Sequence, residues 1–384
     1  MRIPPCRYDN AVAEQLNRKD QPILIGGLGP LTTPGIPQAG EELRAGMELA
    51  IEDVNRAGGV LGQQLELRFA DTRGTPSLGE PAALALQAEG ASVLLGEYHS
   101  VVADAIAAAT WHEIPFICSS AVLDSITARR SPWVFRICPP QSRGWHLFAR
   151  YIVNAGYRRV VILIQPNVYW LRGAGILRDH LEKSFLEVVK VDVDAEGGSN
   201  VDLASVLADS VRPAIALLLI GYPEPLRSVV AQLPDDPGLA DIRFGDPAGR
   251  TIFTDWSANA GQIPGTVPFL CYLDPSSLTP KGTRFVAAYR LRLGRDPSFV
   301  AFEAYDSVLT FAGAARQAGS TDGDRLAQAL REASVDGTRA RISFETEDQG
   351  AVHQQWRGGP LCVAVYDRPG PSLTSLKVLL TPEG

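Results

Sequence analysis

The chain has 384 residues, 45% of them hydrophobic and 21% charged, an ordinary balance for a soluble globular protein and enough length for two lobes. A formal net charge of −7 argues against a nucleic-acid partner, because nothing supplies the positive field that phosphates need. Five cysteines, Cys6, Cys118, Cys138, Cys271 and Cys362, form no CxxC and no close pair, so neither a disulfide framework nor a zinc site is expected.

The opening MRIPPCRYDNAVAEQLNRKDQP has no apolar core of secretory length, and Arg18, Lys19 and Asp20 stand where a cleavage region would be. Residues 1–20 therefore read as an N-terminal extension. If Met1 is the natural start, the expected location is cytoplasmic; a natural start carrying a signal peptide would make it periplasmic. The longest apolar run, AIALLLIG, is strand-sized, so direct membrane insertion is not expected.

From Gln21 onward, short apolar runs alternate with helical patterns. Strands are predicted at ILIGGL, QLELRFA, SVLLG, PFIC, VVILIQ, VVKVDV, AIALLLIG and TIFT. Between the first two, Leu43, Met47, Ile51 and Val54 recur at three- and four-residue steps, and Gly58-Gly59 ends that helix. Mid-chain strands that are apolar on both faces fit a parallel sheet covered by helices on both sides. The fold class is α/β, doubly wound, and the pattern runs twice: Gln21 to about Cys138, then about Gln141 to Thr254. WVFRICPPQSRGW reads as a crossover. A helical stretch follows from Pro280 to about Ala333, then β-like segments in RISFETEDQGAVHQQW and LCVAVYD.

In open α/β sheets, ligands bind beyond the carboxyl ends of strands. Glu97, Tyr98, His99 and Ser100 follow SVLLG; Ser119, Ser120, Ala121 and Val122 follow PFIC. Tyr169 and Trp170 follow VVILIQ, Tyr222 follows AIALLLIG, and Asp255 follows TIFT. Hydroxyls, aromatics and an acid recurring at one edge describe a small-molecule site. Each residue also has a plainer role. Ser100 reads as the N-cap of VVADAIAAATWH, with Asp104 in its first turn. Tyr169 and Trp170 are equally explained as packing aromatics, Tyr222 as a turn residue, and Asp255 as a cap.

Signatures of catalysis are missing: no GxSxG, P-loop, HExxH or GxGxxG, and the histidines (His99, His112, His146, His180, His353) are scattered. Ser100 and His99 are adjacent and make a poor nucleophile–base pair. A non-enzyme without cofactor or metal is expected. The basic pairs Arg129-Arg130 and Arg158-Arg159 read as solvated surface.

Several segments together resemble the type I periplasmic binding family of leucine/isoleucine/valine-binding proteins, to which the cytoplasmic amide sensor of amidase operons is related. They are GEELRAGMELAIEDVNRAGGVLGQQLELRFADTRGTP, LLGEYHSVVADAIAAA, IPFICSSAVLDSITAR, WVFRICPP, AIALLLIGYPEP, FEAYDSVLTFAGAARQAG and DGTRARISFETEDQG. The resemblance spans nearly the whole chain after Gln21. It implies two lobes joined by about three crossovers, with a ligand cleft between, at 21–139 plus 272–342 and 140–271 plus 343–384.

The resemblance also implies site roles. Ser100 matches a serine that receives a ligand oxygen, and Tyr98 an aromatic of the amide-sensor branch. Ser120, Ala121 and Val122 match a segment that holds an amino-acid carboxylate, although Val122 replaces its threonine hydroxyl. Tyr169 and Tyr222 match second-lobe tyrosines that close over the ligand, and Trp170 stands where many members have glycine. Asp255 matches the acid that receives an ammonium group, a role in which a buried carboxylate gains a partner. The implied function is binding of a small polar ligand, an amino acid or amide-like molecule, for an ABC permease. The alternative is a cytoplasmic sensor acting on a regulatory protein partner.

Overall fold

The computed structural model describes residues 21–110, 113–194, 202–208, 215–222, 226, 228, 231, 242–256, 263, 265–345 and 353–383. The predicted extension 1–20 with Cys6, and His112, lie outside the described residues. Two compact units divide the chain. The first holds the described part of Met1–Ala121 with Ser125–Ile137 and Val300–Arg357; the second holds Val122–Asp124, Cys138–Phe299 and Gly358–Gly384.

The first unit begins with β1 (Ile23–Gly29), α1 (Pro37–Arg56), β2 (Leu65–Asp71), α2 (Pro76–Ala88), β3 (Val93–Gly96), α3 (Ser100–Ala109), β4 (Phe116–Cys118), α4 (Ser125–Ala128) and β5 (Val134–Arg136). The second continues with α5 (Gln141–Asn154), β6 (Arg159–Ile164), α6 (Val168–Lys183), β7 (Glu187–Asp192), α7 (Leu203–Ala208), β8 (Ile215–Ile220), β9 (Ile242–Gly245), β10 (Phe269–Cys271) and α8 (Pro280–Leu293). The chain returns to the first unit for α9 (Phe299–Ala318), α10 (Gly323–Arg331), β11 (Val335–Asp336), β12 (Arg341–Ile342), β13 (Phe344–Glu345) and β14 (Gln355–Trp356). It ends in the second with β15 (Cys362–Tyr366) and β16 (Leu376–Leu380).

In the first unit seven strands lie in the order β13-β14-β5-β4-β3-β1-β2. From β2 to β5 all neighbours are parallel. The helix α1 buries Leu43, Met47, Ile51 and Val54, the predicted stripe. It stops at Gly58 and Gly59, whose φ of 96° and 75° suit residues without a Cβ. In the second unit the main sheet runs β7-β6-β8-β9, all parallel. Every residue of β6 and β8 is buried, and each such Leu, Ile or Val contributes about 1.5–3 kcal/mol relative to exposure.

Three expectations change. TIFT is not a strand: Thr251 and Ile252 lie in a 3-10 turn, Arg250–Ile252, and the strand is Ile242–Gly245. The Asp246 carboxylate takes both the backbone N–H and the hydroxyl of Thr251, at 2.8 and 2.9 Å, bonds that hold this segment in a turn. The lobe boundaries also shift. Residues 272–299 belong to the second unit, where Asp296 accepts hydrogen bonds from Leu373 N and Ser372 Oγ. Residues 343–357 belong to the first, where β14 pairs with β5 and Trp356 Nε1 donates to Arg341 O. The passage between units falls at Ile137 and Cys138, inside the expected crossover WVFRICPPQSRGW, which also holds a strand, β5.

One surface reading and one cysteine reading also shift. Arg159 is buried and pairs with Glu187 at 3.3 Å. Cys118 and Cys138 are buried free thiols as expected, but Cys271 and Cys362 stand directly opposite each other in the antiparallel β10–β15 pair. Sequence spacing hides that proximity.

Candidate functional site

In both parallel sheets the chain reverses its direction of strand addition at one place. That switch lies between β1 and β3 in the first unit and between β6 and β8 in the second. The loops leaving such strands diverge, opening a crevice at their carboxyl ends. Tyr98 and Ser100 follow β3, Tyr169 and Trp170 follow β6, and Tyr222 follows β8. Ser120 and Ala121 follow β4, next to β3 in the sheet.

In the first unit the edge is organised by Glu97. Its fully buried carboxylate accepts the backbone N–H groups of Tyr98 and His99 at 2.7 and 2.8 Å, and the Thr72 hydroxyl at 2.5 Å. Burial still dominates and pushes its acid up to about 7, against the pull of those three donors. The two main-chain donors turn the 97–99 segment, so the cap position of α3 falls to His99, and Ser100 is the first helical residue. Ser100 is therefore not the cap residue that its position implied; it is 8% exposed. Tyr98 is half-buried and meets the His99 ring edge-on at 5.5 Å. The His99 ring packs on Gly74: a Cβ there would lie 2.8 Å from Nε2. Gly74 has a φ of 68°, a second reason for glycine at this point.

Ser120 and Ala121 are buried, as is Val122, which is grouped with the second unit. The Ser120 N–H donates to Glu97 O at 3.2 Å, and Val122 O accepts from Gln141 N at 2.6 Å. Beside the Ser120 hydroxyl lies Glu303 of α9, which the sequence reading did not single out. Burial pushes Glu303 up to about 8, offset in part by Arg339 at 3.6 Å and by Ser120. Arg339 also pairs with Asp306, 3.3 Å away, and stacks over the Trp356 ring at 5.1 Å. Asp306 accepts Thr338 N at 2.7 Å and Thr338 Oγ1 at 2.8 Å. FEAYDSVL and DGTRARISF thus meet in one buried ionic cluster. The signal was present as acids inside an apolar helix.

In the second unit the edge is aromatic. Asn167 caps α6, its Oδ1 accepting Trp170 N at 2.9 Å, which sets Tyr169 and Trp170 in the first turn. Gln141 Nε2 donates to Tyr169 O at 2.8 Å. Tyr169 meets Trp145 edge-on at 6.0 Å, and Trp170, only 5% exposed, meets Tyr222 edge-on at 5.2 Å. Gly173 makes room for Trp145: a Cβ there would be 2.4 Å from the indole. Tyr222 N donates to Gln165 Oε1, while Gln165 N donates to Ile220 O at 2.9 Å, so one buried amide ties the ends of β6 and β8 together. Burial raises the Tyr169 phenol far above its ordinary range.

Asp255 departs from the expectation of a buried acid after a strand. Its side chain is 48% exposed, and its Oδ1 accepts Trp256 N at 2.7 Å. The residue that does follow a strand is Asp246, fully buried beyond β9. It accepts Ala248 N at 3.1 Å besides the two bonds from Thr251. Its acid is raised by burial, with those bonds and Arg250 opposing. Gly249, with φ 70°, turns the chain so that Arg250 folds back. Arg250 is 4% exposed, and its guanidinium carbon sits 5.0 Å from the centre of the Tyr222 ring. The sequence reading missed it because it lies inside a segment read as a strand.

The sequence model of the periplasmic binding protein family matches residues 22–357. The chain belongs to this family. Within it the sequence is 24% identical over 352 residues to the Leu/Ile/Val-binding protein BraC3 of Rhizobium johnstonii, covering 89% of this chain and 94% of that one. Among solved structures, the leucine-binding protein LivK of Thermotoga maritima superimposes with a TM-score of 0.77 at 20% identity, covering 94% of this chain and 99% of the other. A solute-binding protein of an ABC transporter from R. palustris, solved with benzoate, gives 0.70 at 20% identity, covering 90% and 92%. These likenesses establish the type I periplasmic binding fold. Among the described residues of this family member, no helix is long and apolar enough to cross a membrane.

Proposed function

We propose that this protein binds a small polar ligand without transforming it, as the substrate-binding component of an ABC-type uptake system. One observation carries the reading: Tyr98 and Ser100 follow β3 in the first unit, and Tyr169, Trp170 and Tyr222 follow β6 and β8 in the second, strands that flank the switch points. Tyr98, Ser100, Ser120 and Ala121 would serve from the first unit; Val122, Tyr169, Trp170 and Tyr222 would serve from the second. A ligand that binds one conformation of the protein better than another shifts the population toward it. Relatives described as binding leucine, isoleucine and valine, or solved with benzoate, support a ligand of amino-acid or small organic-acid size. A permease is then the partner, and delivery to it requires the periplasmic side of the membrane.

A thermal-shift screen tests the reading. A ligand that binds only the folded protein at a hundred times its Kd adds about 2.7 kcal/mol of stability. Amino acids, their amides and small aromatic acids are the panel, and at least one should raise Tm in a saturable way without being consumed. Turnover of an amide or ester that is lost in Ser100→Ala would sink it in favour of a hydrolase.

A further inference from the structure

Arg250 carries a positive charge in the interior of the second unit, at the aromatic edge. Its side chain is 5% exposed, lies over the Tyr222 ring, and is close enough to Tyr169 to act on that phenol. A buried cation normally holds its place by charge-assisted hydrogen bonds, and a guanidinium has five donors to satisfy. Two acids are nearby. Asp246 is occupied by Ala248 N, Thr251 N and the Thr251 hydroxyl. Asp255 stands 3.8 Å from Nη2, beyond hydrogen-bond distance, with its side chain half in solvent. Among the described residues the buried Arg250 Nε has no hydrogen-bond partner.

We propose that Arg250 receives a carboxylate of the ligand, so that this edge selects a small organic acid with a flat or branched apolar body. This deepens the ligand-binding reading above and rests on it. Asp255, expected as a buried acid facing an ammonium group, has a side chain half exposed to solvent here. The planar fork of Arg250 is satisfied in pairs by carboxylate oxygens, and the rings of Tyr169 and Tyr222 supply an apolar wall beside it. A ligand ammonium placed there would meet a like charge.

Four probes separate the ideas by thermal shift and calorimetry on the full chain: benzoate, benzamide, 4-methylpentanoate and L-leucine. Benzoate or 4-methylpentanoate should bind at least tenfold more tightly than benzamide, and 4-methylpentanoate more tightly than L-leucine, which adds only the ammonium. Arg250→Gln and Arg250→Lys should each lose at least tenfold in affinity for the acid that binds. Equal binding of benzoate and benzamide, preference for L-leucine, or an Arg250→Gln protein that binds acid normally would overturn the assignment and leave ligand binding intact. If no acid, amide or amino acid in either panel raises Tm, the ligand-binding reading falls together with it. Should the variants fail to fold, the acid–amide comparison on the unmodified protein decides.

Discussion

The two strand edges solve the same problem with different chemistry. In the first unit, buried acids brace the backbone: Glu97 gathers two main-chain N–H groups and a hydroxyl, and Asp306 with Glu303 holds Arg339 beneath Ser120. In the second, rings and an amide brace the ends of β6 and β8, Asp246 holds the turn after β9, and a buried cation, Arg250, lies over Tyr222. Acids spent on backbone N–H groups shape a loop, whereas rings beside a guanidinium whose Nε lacks a hydrogen-bond partner offer a contact surface. Substitutions of the bracing acids at the first edge should therefore act on stability, and those of the rings and the guanidinium at the second on recognition.

The largest effect is expected from Asp306→Ala. It strands Thr338 N and its hydroxyl and takes an acid from Arg339, costing about 3–5 kcal/mol. Urea unfolding measures it, and a loss under 1 kcal/mol would show that the cluster does not brace this unit. Gly96→Ala comes next. A Cβ at Gly96 would lie 2.1 Å from Leu28 O, and its φ of 127° excludes ordinary side chains. About 3 kcal/mol is expected, since backbone on both sides must move, with amide exchange accelerating in β1 and β3.

Glu97→Gln tests the pH behaviour of the first edge. The folded acid titrates at about 7, raised by burial from its ordinary 4.5. The folded state then binds more protons than the unfolded state between those values, so Glu97 lowers stability as pH rises from about 4.5 to 7 and has no further effect above. The wild-type protein should lose on the order of 3 kcal/mol relative to Glu97→Gln across that window. Parallel stability curves for the two proteins would remove Glu97 as the titrating group. At the second edge, Gln165→Ala deletes the acceptor of Tyr222 N, for about 1–2 kcal/mol in stability. Its larger consequence should be weaker binding, read by calorimetry with whichever probe binds, because the Tyr222 ring loses its anchor.

Much of the fold was legible. The period of Leu43, Met47, Ile51 and Val54 marks α1, and two-sided apolar runs mark β6 and β8, because burial on both faces leaves no room for polar residues. The short strands β5, β9 and β10 were not recognised: three or four residues carry little periodicity, and the equally short β3 and β4 were found only from the apolar runs SVLLG and PFIC. At the site, the position of Tyr98, Ser100, Tyr169 and Tyr222 at strand ends was readable, because strand ends can be found from apolar runs alone. The partners were not.

By itself, then, the order of apolar and polar residues determined an α/β protein with two winding patterns and polar residues beyond its strands. Local burial and backbone preference act over a few residues, and a sequence displays them directly. Only the tertiary structure decided that Glu97 turns the lip on which Ser100 begins a helix, that β13 and β14 complete the first sheet, and that Arg250 rather than Asp255 is the buried charge beside Tyr222. Those facts depend on which groups meet across long separations and how far each lies from water, and no short window of sequence contains either.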